Sequence, residues 1–108
     1  MSMTDVAGFL FDDENEEEMA AHRLTPRRVI QMLENAHTVV PNRRGRRGHY
    51  LIVGRDNGGA CITVPIEPTR DALVWRPVTA WPSKDYEYQW LQGSEQTRPR
   101  TGPEGGGR

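Results

Sequence analysis

The hydrophobic pattern changes period along the chain. Residues 13–23 read as a first helix, with Asp13 as its cap, Glu16 three residues on, and a thin apolar side of Met19 and Ala20. The second helix has a sharper start. Thr25 stands at the N-cap and Pro26 at the first helical position, where a missing N–H costs nothing. Leu24 and Val29 are placed as a hydrophobic staple, and Val29, Ile30, Leu33 and Ala36 form the apolar stripe. After that, apolar residues come in short runs bounded by turn formers. Thr38–Pro41 reads as a short edge strand and His49–Arg55 as a strand. Asp56–Gly59 reads as a tight Asn-Gly hairpin leading to a partner strand, Ala60–Ile66. Glu67–Ala72 is a polar loop, and Leu73–Trp81 a third long strand with Pro77 marking an edge or a bulge. Ser83 is placed to cap a last short helix through Leu91. No helix joins the strands, so a parallel crossover is not expected. The predicted class is α+β, with two N-terminal helices packed on an antiparallel sheet of three to four strands and a short C-terminal helix.

Composition trims this picture at one end. Residues 93–108 hold no large apolar side chain, so a single domain is expected over 1–92 with a disordered tail at 93–108. Only 35% of the 108 residues are hydrophobic, and the three Trp are expected to supply much of the core. The lone Cys61 excludes an internal disulfide and a cysteine zinc site, and reads as a small core residue. The three His lack a metal-ligand spacing, so neither a metal nor another cofactor is expected. No run is long enough to span a bilayer, and there is no secretory segment. The expected compartment is a reducing cytoplasm, with no membrane partner.

Charge adds the functional hint. The net charge is -1, yet six acids lie between Asp12 and Glu18, and eight of the fourteen basic residues lie between Arg23 and Arg55. The densest cluster is Arg43, Arg44, Arg46 and Arg47, just before His49 and an apolar strand. Glycine-spaced guanidiniums at the edge of a rigid element suit phosphate oxygens and stay charged at any working pH. Such polarity points to nucleic acid or to an acidic protein partner, with an ordinary solvated face as the alternative. Arg27 and Arg28 oppose the dipole of their helix by roughly 0.3–1 kcal/mol each, which fits either a contact or simple tolerance.

Several phrases appear in a telling order over residues 9–91. They are Phe11–Asn15, Ala21–Val29 with its His22 and Thr25-Pro26, Val53–Arg55 followed by Gly58-Gly59, and Val78–Ala80 before a helix containing Glu87. In order and spacing the chain resembles the BrnT family of toxins, within the RelE-like ribonuclease superfamily. The resemblance implies a RelE-like fold and the toxin of a type II toxin-antitoxin pair. Such a toxin is a metal-independent mRNA endoribonuclease, neutralised by a cognate DNA-binding antitoxin in an assembly up to a heterotetramer. RNA would lie on a basic concave sheet, with the 2′-hydroxyl attacking the adjacent phosphate. The chain departs from the family pattern at three places. Ala21 stands for a basic residue, Arg23 for a glycine, and Trp81 for an arginine. A non-catalytic interaction or regulatory protein on the same scaffold, of phage accessory type, is therefore the alternative.

Three residues are catalytic candidates. Arg55 ends a strand before a glycine-rich turn and matches the family phrase. His49 is a candidate general base, or a half-exposed strand-edge histidine. His22 is a candidate for proton transfer, or a residue favoured by the helix dipole. Arg43, Arg44, Arg46, Arg47, Arg76 and Arg23 are the RNA-binding candidates, with Arg23, Arg55 and Arg76 available to replace the missing family charges. Trp81, Tyr86, Tyr88 and Trp90 are either base-stacking groups or, for Tyr86 and Trp90 at helical spacing, core. His37 and Lys84 read as structural or solvent residues.

Overall fold

The computed structural model describes residues 6–43 and 48–97. Its elements run β1 (Gly8–Phe9), α1 (Asp13–Ala21), α2 (Pro26–Glu34), β2 (His37–Pro41), β3 (Tyr50–Arg55), β4 (Cys61–Pro68), β5 (Val74–Pro77), β6 (Trp81–Pro82) and α3 (Asp85–Thr97). The class is α+β, as the element order implies. The sheet differs from expectation: it is mixed and six-stranded, in the order β1-β5-β4-β3-β2, with β6 also paired to β4. The long strands are antiparallel neighbours, and the parallel pair is β1 against β5. β1 is two residues long, too short to leave a period in the sequence.

Side-chain alternation divides the sheet into two faces. Val39, Ile52 and Val64 lie opposite one another across β2, β3 and β4. With Ile62 and Ile66 they pack against Met19, Leu24, Val29 and Met32 of the first two helices and their junction. The other face carries Val40, Leu51, Val53, Thr63 and Pro65, and α3 lies on it, in contact with β2 and β3. The sheet is thus covered on both sides.

Local chemistry explains the helix ends. Asp12, not Asp13, caps α1, because Asn15 completes a capping box with it: Asn15 N donates to Asp12 Oδ1 at 2.8 Å and Asp12 N donates to Asn15 Oδ1 at 2.9 Å. The buried Asn15 amide also donates to the carbonyls of Leu10 and Pro77, which ties α1 to the sheet. At the other end, Leu24 N donates to Met19 O and Arg23 N to Ala20 O. This is a Schellman closure, and Arg23 occupies its left-handed position at φ 64°. Thr25 caps α2 as expected, with Pro26 at the first position. Leu24 and Val29 are both buried. Met32, not Ile30, completes the apolar face, and the helix stops before Ala36.

The β3–β4 connection is longer than a two-residue hairpin. Arg55 pairs with Cys61, so residues 56–60 form the loop, and Gly59 alone in it takes a positive φ, 91°. Asp56 sets its shape by accepting the N–H groups of Gly58 and Ala60 at 3.0 and 2.9 Å. The strand expected over 73–81 is broken. Ile66 pairs with Pro77 and Thr63 with Trp81, so Val78, Thr79 and Ala80 oppose only Val64 and Pro65. That extra residue is a β-bulge, which re-aims the residues after it.

Two readings of the C-terminal part also change. Ser83 does not cap α3; its Oγ pairs with Thr63 Oγ1 at 2.8 Å, and Glu87 reaches back to the Lys84 N–H instead. The helix runs to Thr97, so residues 93–97 are helical where a disordered tail was expected, and 98–108 lie outside the described residues. Cys61 is half-buried, and none of Trp75, Trp81 and Trp90 is fully buried; aliphatic residues and Met make the core.

Candidate nucleic-acid interface

The face under α3 is only partly filled. Between α3 and the sheet lies a cleft of about 560 Å³, within the roughly 300–1,000 Å³ typical of ligand sites. Val40, Leu51 and Pro65 form its floor. Tyr86 and Trp90, one helical turn apart, form a wall, with ring centroids 5.5 Å apart in an edge-to-face arrangement. They are 38% and 36% exposed, so they are not the core pair that their spacing also allowed.

Trp81 belongs to the same cleft because of the bulge. Residues paired across strands share a face, and Trp81 lies opposite Thr63 rather than on the side of Trp75 and Pro77. Its ring is then fixed by a buried latch. Glu87, 1% exposed, accepts at Oε1 from Lys84 N at 2.8 Å, Thr63 Oγ1 at 2.9 Å and Trp81 Nε1 at 3.0 Å. The carboxylate thus holds β4, Trp81 and the start of α3 together. Thr79, from the bulge itself, also lines the cleft, and its Oγ1 is buried without a hydrogen-bond partner.

The polar rim has two charges of opposite sign. Arg43 enters from the end of β2 and Glu18 from α1, and both are exposed. Asn42 beside Arg43 is anchored: its N–H donates to His49 O at 3.0 Å and its amide to Gly48 O at 3.2 Å. Gly48 has φ 98°, and a Cβ there would lie 2.9 Å from the Pro65 Cβ, so only glycine suits the position. Arg44, Arg46 and Arg47 lie outside the described residues. Residues 43 and 48 on either side of them border the cleft and its floor.

The proposed catalytic residues do not converge. His49 lies just before β3 and Arg55 at its far end, about 20 Å apart at the usual rise per residue. His22 is the exposed C-cap of α1, in a shallow depression with Trp81, Pro82 and Lys84. Arg55 is half-buried against α3. Its guanidinium lies 4.9 Å from the Tyr88 ring centre and donates to the Tyr88 hydroxyl at 3.2 Å.

Arg76 faces acid instead of the cleft. It donates to Asp12 at 2.7 Å, Glu67 at 2.9 Å and Glu14 at 3.0 Å. The bond to Asp12, and then that to Glu67, raise its pKa above the ordinary arginine value against the opposing effect of burial. The same bond from Arg76, with the Asn15 N–H, holds the Asp12 carboxyl below the usual range. Arg76 therefore fastens β5 to β4 and to the cap of α1. Arg28 has a similar role: it donates to Asp56 at 2.8 Å, which explains a cation in the first turn of α2. Burial pushes the Asp56 pKa up, but the Arg28 bond and the Ala60 and Gly58 N–H groups outweigh it, so the net shift is down. Arg23 is exposed beside His22.

Among the described residues no group of His, Cys, Asp and Glu could hold a metal ion, and no helix is long and apolar enough to cross a membrane. Thr79, Glu18 and the latch formed by Glu87 were missed from sequence. The one available signal was Pro77, which marked a bulge without showing what it would turn toward the cleft. No protein-family model, curated protein or solved structure matches the chain.

Proposed function

We propose that this chain is a BrnT-like toxin or toxin-derived protein that holds single-stranded RNA in the cleft under α3. One observation carries the reading: three aromatic rings, Trp81, Tyr86 and Trp90, border one cleft whose rim begins the arginine segment at Arg43. Stacking rings beside a cationic track are what sequence-tolerant binding of unpaired bases requires. As a type II toxin it would act in the cytoplasm and cleave mRNA without a metal. A cognate DNA-binding antitoxin would neutralise it, in an assembly up to a heterotetramer.

The second reading, a non-catalytic protein on the same scaffold, is favoured by the dispersal of His22, His49 and Arg55 and by the engagement of Arg76 with three carboxylates. Expression alone and with the neighbouring gene separates the two. Growth arrest relieved by that gene, with RNA cleavage persisting in chelator, supports the toxin. There, Arg55→Ala or His49→Ala should lower cleavage about 10²-fold or more if either group serves the reaction. RNA binding without arrest or cleavage supports the non-catalytic protein.

A further inference from the structure

The cleft has a polarity that stacking alone does not use. Its walls are apolar and aromatic, while its two rim charges come from opposite sides: Arg43 from the end of β2, an edge strand, and Glu18 from α1, which Asn15 ties to Pro77 beyond β4. Among the described residues neither side chain has a hydrogen-bond or ion-pair partner. A flat ligand lying in the cleft against the rings would therefore meet a fork of N–H donors from Arg43 and a carboxylate acceptor from Glu18. Guanine matches that arrangement. O6 and N7 form an acceptor pair for arginine, and N1–H with the N2 amino group forms a donor pair for a carboxylate. Uracil has no amino group, and adenine has no neighbouring acceptor pair for the arginine fork.

We propose that the cleft reads one unstacked guanine of an RNA strand, with Arg43 on the O6/N7 edge, Glu18 on the N1/N2 edge and the rings of Trp81, Tyr86 and Trp90 around its faces. This rests on the RNA-binding reading and adds base identity to it. The trapped base is splayed out of the strand, the usual way proteins read RNA sequence.

The test uses the full-length protein and short single-stranded oligoribonucleotides of uridine carrying one central guanine, inosine, 7-deazaguanine or adenine. Binding is followed by anisotropy and tryptophan fluorescence. The guanine strand should bind about tenfold more tightly than the inosine and 7-deazaguanine strands, as expected for loss of one edge of a paired interaction. Glu18→Ala, at an exposed helix position, should abolish the preference over inosine and keep that over 7-deazaguanine; Arg43→Gln should do the reverse. Equal affinity for all four strands would overturn the guanine assignment while leaving RNA binding intact. Free guanosine monophosphate competing as well as the strand would overturn an RNA source for the base. Binding of no strand would overturn the RNA reading itself.

Discussion

Arg23 shows how a single residue can register both a fold and a departure from a pattern. Its position demands a left-handed backbone, which costs a side chain roughly 1–2 kcal/mol relative to glycine. The resembled family has glycine there. Arg23→Gly should raise stability by about 0.5–1 kcal/mol in urea melts, after allowance for the freer unfolded chain. A neutral or destabilising result would mean that the arginine side chain stabilises the fold through an interaction of its own. Asp56 gives a second test. Asp56→Ala removes the acceptor for Arg28, Gly58 and Ala60 and should cost roughly 1–3 kcal/mol at neutral pH. Its folded pKa is depressed, so its contribution is full above the unfolded value of about 3.9 and is lost as pH falls through the folded one. The gap between the two proteins should therefore close on acid titration of stability, and a gap independent of pH would show that the shift is absent. Arg76 shows the limit of reading residues from sequence. It looked like a cation for RNA, but its three carboxylate partners lie up to 64 positions away, and no local spacing reveals them.

At the level of elements, α2 was legible almost to the residue because its start is written in adjacent chemistry, Leu24-Thr25-Pro26. The antiparallel run of β3 and β4 was legible for the same reason, as apolar segments around a polar loop. β1 and the split into β5 and β6 were not, because short pairings depend on what lies beside them. The length of α3 was also hidden, since residues 93–97 lack the apolar stripe that marks a helix by packing. Leu91, 1% exposed, is its last buried apolar anchor among the residues with described side chains. Leu91→Ala should cost roughly 2–4 kcal/mol, whereas truncation after Gln92 should cost under about 1 kcal/mol, because a fraying helix end buries little. Comparable losses from the two changes would place a docking surface in the removed segment.

For the whole molecule, the separation of charge along the chain is partly internal wiring. Asp12 and Glu14 are engaged by Arg76, and Arg28 by Asp56, while Arg43 stays at the cleft rim. The cleft was foreseen only as separate aromatic and arginine motifs, because their meeting depends on α3 crossing the sheet. If the arginine segment binds RNA, replacing Arg43, Arg44, Arg46 and Arg47 with Gln should lower the salt dependence of binding by about 0.7 in log–log slope for each phosphate no longer neutralised. An unchanged slope would assign the segment to solvent. The bulge at Val78–Ala80 has one more consequence. Because the extra residue is absorbed before Trp81, the face of Trp81 is set by its partner on β4 and not by the number of residues that separate it from Pro77. A single-codon deletion at Thr79 would leave Val78 opposite Pro65, Ala80 opposite Val64 and Trp81 still opposite Thr63, so plain alternation alone would keep the indole on its face and within reach of Glu87. A deletion scan should therefore find Thr79 dispensable for the placement of the aromatic side chains, and binding lost on that deletion would show that the bulge itself shapes the cleft.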